Sequence, residues 1–267
     1  MIKKLSLNLR LFFEGALLSY IALFHWLRPA QYLATKVWGP LVYMLFFVFL
    51  GKFATGQDNT SFYVIGNAIQ TVALSGIYGV SMSIDGDRWD GTLPYLFGAP
   101  ANRMTVFVGR SFMHIIDGFL GALIGLTWGV LLLGLDLSHT DPFALGLTIL
   151  ITTFSTSGLG LLLGCLGLIT RNVMFVNNTV FFLLLVFSGA NVEIQSLPAW
   201  AQTISQTLPL TRGIAAARQI IAGGSISQVL PLLAVEFSIG VFYVTLGYSL
   251  FRWFELVAKK RGTLEAM

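Results

Sequence analysis

Two carboxylates stand in stretches of this chain that are otherwise almost uncharged. Asp117 follows His114 by three residues and Arg110 by two helical turns, and Glu236 lies within a later apolar run. Residues three or four apart share a helix face, so Asp117 is placed to pair with His114 or Arg110. At 1.5 Å per residue, Glu236 sits roughly 12 Å in from the outer end of its run. Carboxylates in apolar runs are the raw material of proton or ion sites. Coupled transporters, however, gather such charges near the bilayer midplane around broken helices, and these two fall in separate runs. Ser157-Gly158 carries the residue types of an intramembrane serine nucleophile. Its required base is missing nearby, because His114 lies toward the other end of a different run, and serine beside glycine is common in glycine-rich helices. Cys165 is the single cysteine, which excludes an internal disulfide. With His25, His114 and His139 it forms no metal-ligand spacing, so no metal and no cofactor is expected on this chain.

A denser polar set lies between positions 62 and 84. At 100° per residue Tyr63, Asn67, Gln70, Thr71, Ser75, Tyr78 and Ser81 fall within an arc of about 120°. Unpaired polar groups are costly in hydrocarbon, so such a stripe faces other helices or a hydrated path. Helix-to-helix adhesion needs one or two polar residues; a stripe of full length favours a path-lining or subunit-facing helix. Immediately after it the chain turns polar, from Asp85 through Trp89 and Pro94 to Arg103. A charged amphipathic segment between two hydrophobic helices must lie at the membrane surface, where a soluble partner can push on it.

The elements that position these residues follow from composition. Hydrophobic residues make up 55% of the 267 and charged ones 10%, with a mean hydropathy of +0.78, which is too apolar for a soluble domain of this length. A crossing helix needs about 20 apolar residues, and six runs qualify: 34–50, 62–84, 112–135, 143–169, 173–192 and 229–251. A seventh stretch, 11–27, carries Glu14 and His25 between Arg10 and Arg28 and reads as a helix lying on the surface; a crossing helix and a signal peptide are the alternatives. With the amino terminus inside, every Lys and Arg except Lys52, Arg212 and Arg218 falls on the inner face, a split of 13 against 3 that fits six crossings with both termini cytoplasmic. The net charge of +4 therefore reflects sidedness, and no basic patch suggests nucleic acid. Gly121, Gly125 and Gly129 stack on one helix face, as do Gly160 and Gly164, which is the pattern of closely packed membrane helices. The expected fold is an all-α membrane protein in one domain: an interfacial helix over 1–33, spans one to five over 34–192, an outer segment over 193–228, and span six with its tail over 229–267.

At this point the residues resemble a known family. Asp87-Arg88-Trp89-Asp90-Gly91-Thr92-Leu93, followed by Leu96, Ala99-Pro100 and Arg103, resembles the coupling-helix signature of type-2 ABC exporter permeases. Leu197-Pro198-Ala199-Trp200, then Leu208-Pro209-Leu210-Thr211-Arg212 and Arg218, is similar to that family's outer re-entrant hairpin before the last span. Asp87 stands where the family usually has Glu, Pro94 where a helix-forming residue is commoner, and Leu208 where Asn is frequent. Pro94 is tolerated in a first helical turn, with Asp90 or Thr92 as the cap.

The resemblance implies a permease subunit of an ATP-driven exporter in the bacterial cytoplasmic membrane. It pairs with a second permease copy or paralogue and with two cytoplasmic ABC ATPase subunits, which carry the MgATP. The chain itself has no Gly-x-x-x-x-Gly-Lys-Ser/Thr phosphate loop and is not expected to be an enzyme. On this reading Leu93, Tyr95, Leu96 and Phe97 dock on the ATPase, and Asp87, Arg88 and Arg103 orient the helix. Asp90, Gly91, Thr92 and Pro100 shape the same segment, and the amino-terminal helix completes the contact. The path runs along spans one, two and five, so Asn177, Asn178, Phe181, Phe182 and Leu185 form a wall opposite the polar stripe. The expected substrate is amphipathic: an antibiotic, drug, peptide or lipid-like molecule. A lipid-linked glycan exporter and a proton-coupled secondary transporter are the alternatives.

Overall fold

Long apolar runs become helices because hydrocarbon offers the backbone N–H and C=O groups no other partners. The computed structural model describes residues 2–24, 28–98, 102–170 and 172–261, and among these the regular structure is helical throughout. α1 (Ile2–Phe24) precedes α2 (Pro29–Thr55), and α3 (Thr60–Ala73) runs through a π-helical turn, Leu74–Gly79, into α4 (Val80–Trp89). A six-residue α5 (Leu93–Gly98) leads to α6 (Arg103–Leu133), α7 (Pro142–Thr170) and α8 (Val173–Phe187). Two short helices, α9 (Ala199–Thr207) and α10 (Thr211–Ile221), come before α11 (Ile226–Arg261).

Among the described residues five helices are long and apolar enough to cross a bilayer: α2, the continuous unit from α3 to α4, α6, α7 and α11. α8 is apolar but has only 15 residues, about 22 Å of helix against a hydrocarbon core of about 30 Å. The run expected over 173–192 thus stops being helical at Phe187, where the chain bends through Gly189 at φ 82°. α1 is not one of the five. It lies against α6, with Phe12 and Phe13 in edge contact with Phe112 and Ala16 buried, and it leaves Leu9, Leu17, Leu18 and Ile21 outward.

Span two is the central helix. Of its apolar stretch 89% is buried, against 22% for α2 and for α11, so the first and last spans supply the outward faces. Small residues permit this crowding. Gly125 of α6 sits against the backbone of Ala68, and Gly160 of α7 lies on the Gly76 carbonyl, so a side chain at either place would separate the helices. The glycine faces read from the sequence are packing faces. α7 is sandwiched between this central span and α11, with Gly158 meeting the Gly240 carbonyl.

Candidate functional site

The polar segment, expected to act as a lever, is held by local hydrogen bonds. α4 closes on Asp90, whose N–H donates to the Gly86 carbonyl at 2.8 Å, and Gly91 turns the chain at φ 67°. Thr92 Oγ1 donates back to Asp87 Oδ1 at 3.2 Å. Pro94 is the second residue of α5, where a missing N–H leaves no helical bond unmade. The other oxygen of Asp87 pairs with Arg110 of α6, and Arg110 also donates to the Ser83 carbonyl. The lever is thus pinned at its root to spans two and three. On the far side Asn102 caps α6, accepting the Thr105 N–H at 3.2 Å.

The residues expected to dock divide into two groups. Tyr95 is 79% exposed, and Asp90, Gly91 and Thr92 are exposed with it. Leu96 instead faces inward, half-buried against the cluster of Phe107, Phe251 and Phe254. Arg88 is half-buried in α4. Pro100 lies outside the described residues, as do the side chains of Leu93, Phe97 and Arg103. Trp89 escaped the sequence reading. It is as exposed as Tyr95, and its Nε1 donates to Asp85 at 2.9 Å, which holds the ring at the lever's tip. A tryptophan within a polar surface loop was the signal available.

The polar stripe meets its own opposite wall. Asn67 Nδ2 donates to Asn191 Oδ1 at 2.9 Å, Ser188 Oγ to Gln70 Oε1 at 3.0 Å, Asn177 Nδ2 to Ser81 Oγ at 2.7 Å and Tyr78 OH to Asn178 Oδ1 at 2.7 Å. Thr71 donates to the Ala68 carbonyl at 2.7 Å. Asn67, Gln70, Thr71, Ser75, Asn177 and Phe181 are buried within the single chain, whereas Tyr63, Tyr78, Asn178, Phe182 and Leu185 reach its surface.

Asp117 pairs with neither His114 nor Arg110. Its partner is Lys36 of α2, which the sequence assigned to the inner face. The same carboxylate accepts from Ser75, from Tyr20 OH at 3.0 Å and from Tyr32 OH at 2.9 Å. The helical neighbours lose because Arg110 is taken by Asp87 and the His114 ring is turned against Gly79 and Tyr20.

At the opposite end of span two the short helices α9 and α10 follow one another, with Pro198 preceding α9 and Pro209 buried between them. Leu210 holds φ at 81°, a costly value for a non-glycine residue. Glu236 stabilises it, accepting the Leu210 N–H at 2.6 Å while Ser155 of α7 donates to the same carboxylate. Arg212 Nη1 donates to the Gln206 carbonyl at 2.7 Å. Arg218 donates to the carbonyls of Gly189, Phe62 and Ala190 at 2.8, 2.9 and 3.2 Å and stacks 3.7 Å over the Phe62 ring. Burial draws its pKa down to about 10, so the guanidinium stays charged at neutral pH. Trp200 is exposed at the rim, edge-on to Phe187.

Buried apolar spans, with an exposed polar segment at one end and two short tethered helices at the other, define a polytopic helical membrane protein. The chain belongs to the ABC-2 type transporter family, whose sequence model matches residues 16–222. It is 26% identical over 197 residues to the "Daunorubicin resistance ABC transporter permease protein DrrB1" of Streptomyces coeruleorubidus, covering 69% of this chain and 66% of that one. It is 25% identical over 202 residues to the "Probable multidrug ABC transporter permease YbhR" of Escherichia coli K12, covering 71% and 52%. The matched region thus spans about half to two thirds of these relatives. Family membership makes the chain a membrane permease subunit.

Proposed function

We propose that this chain is the permease of an ATP-driven exporter that moves an amphipathic molecule outward, with MgATP bound and hydrolysed by two separate cytoplasmic ATPase subunits. The observation that carries this reading is the lever. Trp89, at the end of α4, and Tyr95, on the short α5, are presented to solvent by a segment whose root is pinned through Asp87 and Arg110 to spans two and three. A partner that moves those two rings moves the buried central span with them. The surface-reaching residues Tyr63, Tyr78, Asn178, Phe182 and Leu185 then line the path, where a second permease copy meets this one. The names of the relatives, daunorubicin resistance and multidrug permeases, support a drug-like amphiphile over a lipid-linked glycan. A proton-coupled mechanism is less favoured, because Asp117 is already engaged by four donors.

The test is reconstitution with the partner ATPase. The double variant Trp89→Ala, Tyr95→Ala is expected to assemble as a permease, yet to lose most ATPase binding and substrate-stimulated turnover. Full turnover in that variant would remove the lever from the mechanism.

A further inference from the structure

Span two is buried along nearly its whole length, but Leu74, at the start of the π-helical turn, is 41% exposed. π-helical turns insert one residue into a helix and recur at functional sites. This one is set by two glycines, because side chains at Gly76 or Gly79 would strike the Thr156–Ser157 backbone or the His114 ring. Leu74 and Tyr78, four residues apart, lie on one side of the span. Between them and α1 and α2 lies a cavity of about 200 Å³, lined by Phe24, Lys36, Leu74, Tyr78, Met82 and Asp117 among others.

The hydrogen-bonding capacity of this cavity is lopsided. Asp117 accepts from Tyr20, Tyr32, Ser75 and Lys36, which fills the roughly four acceptor positions of a carboxylate. Tyr78 OH is spent on Asn178. Lys36 is not saturated: an ammonium has three donors, and Nζ donates to Asp117 and to Ser75 while its side chain remains 25% exposed. Nζ also lies 5.7 Å from the centre of the Phe24 ring and 5.8 Å from that of Tyr32; one N–H without a hydrogen-bond acceptor is left for a ligand, in a wall that Phe24, Leu74, Ser75, Tyr78, Gly79 and Met82 complete. The Lys36–Asp117 pair is neutral as a unit, so the cavity has no net charge with which to hold an ion.

We propose that the cavity beside the π-helical turn is a substrate-reception subsite, in which Lys36 donates to an uncharged oxygen acceptor, such as a ketone, on a compact apolar body. This inference rests on the export reading and adds the polar feature that the exported molecule carries. Leu74, exposed within an otherwise buried span, marks the mouth.

The probe is benzophenone, which has a neutral ketone between two rings and inserts into nearby C–H bonds on illumination. The full-length permease is labelled without its ATPase and without ATP, and the adducts are mapped by mass spectrometry. Saturable labelling of the peptide holding Leu74 and Met82 is expected, displaced by excess fluorenone but not by diphenylmethane, which lacks the oxygen. Leu74→Trp, a change at an exposed position that fills the mouth, is expected to abolish that adduct. Lys36→Met with Asp117→Asn removes both charges together and is expected to weaken labelling about tenfold, the worth of one hydrogen bond to a charged group. Gel filtration confirms that both variants fold. Unsaturable adducts spread over the lipid-facing spans, displacement by diphenylmethane, or unchanged labelling in a folded double variant would each overturn the subsite. Because no ATPase is present, that failure leaves the lever to its own test.

Discussion

Single residues here act by closing hydrogen-bond accounts that hydrocarbon would leave open. Glu236 is fully buried, yet its role is local: it accepts the N–H of a strained residue, Leu210, and a hydroxyl from Ser155. Glu236→Gln keeps an acceptor oxygen, whereas Glu236→Leu strands a buried N–H beside an unfavourable φ. The leucine variant is expected to be less stable than the glutamine variant by about 1–3 kcal/mol, the cost of an unsatisfied buried donor. Thermal unfolding of the detergent-solubilised protein measures this, and equal midpoints would contradict it. Asp87 and Arg110 give a sharper case, since both partners are identified. The reversed pair, Asp87→Arg with Arg110→Asp, is expected to recover part of the coupling that either single change loses, as read by substrate-stimulated ATPase activity of the reconstituted complex. A double variant no better than the worse single would show that the pair does not hold the lever.

At the scale of elements, span two organises the rest. α6 and α7 approach it through glycines, and its polar face hydrogen-bonds to α8 and the bend after it. Gly160→Leu would drive a side chain into the Gly76 carbonyl, where neither backbone has room to retreat. The expected cost is about 1–3 kcal/mol, in the range of overpacked cores. Loss of a monodisperse gel-filtration peak is the readout, while Gly146→Leu, which meets nothing nearby, serves as the tolerated control. Normal behaviour of Gly160→Leu would mean that α7 packs on span two less tightly than described. The lever follows the same logic: Leu96→Asp disturbs its seat on Phe107 and Phe251, and Tyr95→Ala only its outward face.

The whole molecule is expected to be sided. Asp58 follows the end of the first span that is expected to lie outside, and Asp90 belongs to the polar segment expected inside. Cys165, the native thiol, is buried and leaves a silent background. In intact cells Asp58→Cys is expected to react with an impermeant maleimide, and Asp90→Cys only after the inner face is opened. Labelling of Asp90→Cys from outside would invert the topology and detach the lever from any cytosolic ATPase.

Much of this was written in the order of residues. Apolar run length decided that the chain is a helical membrane protein, the Lys and Arg distribution supplied its expected sidedness, and the Asp-Gly-Thr-Leu and Leu-Pro-Leu-Thr-Arg segments carried the family. These are local or summed properties, insensitive to which helix touches which. Partner choice is different. The sequence offered Asp117 two helical neighbours, and folding gave it Lys36 of another span; it offered a polar stripe an open path, and folding joined much of that stripe to Asn177, Asn178, Ser188 and Asn191. Leu96, expected to dock outward, faces inward, and Trp89, to which the sequence reading gave no role, is exposed. Helical periodicity fixes which residues share a face, but what that face meets depends on how six apolar segments pack, and in lipid that is settled by close backbone approach and hydrogen-bond satisfaction between distant parts of the chain.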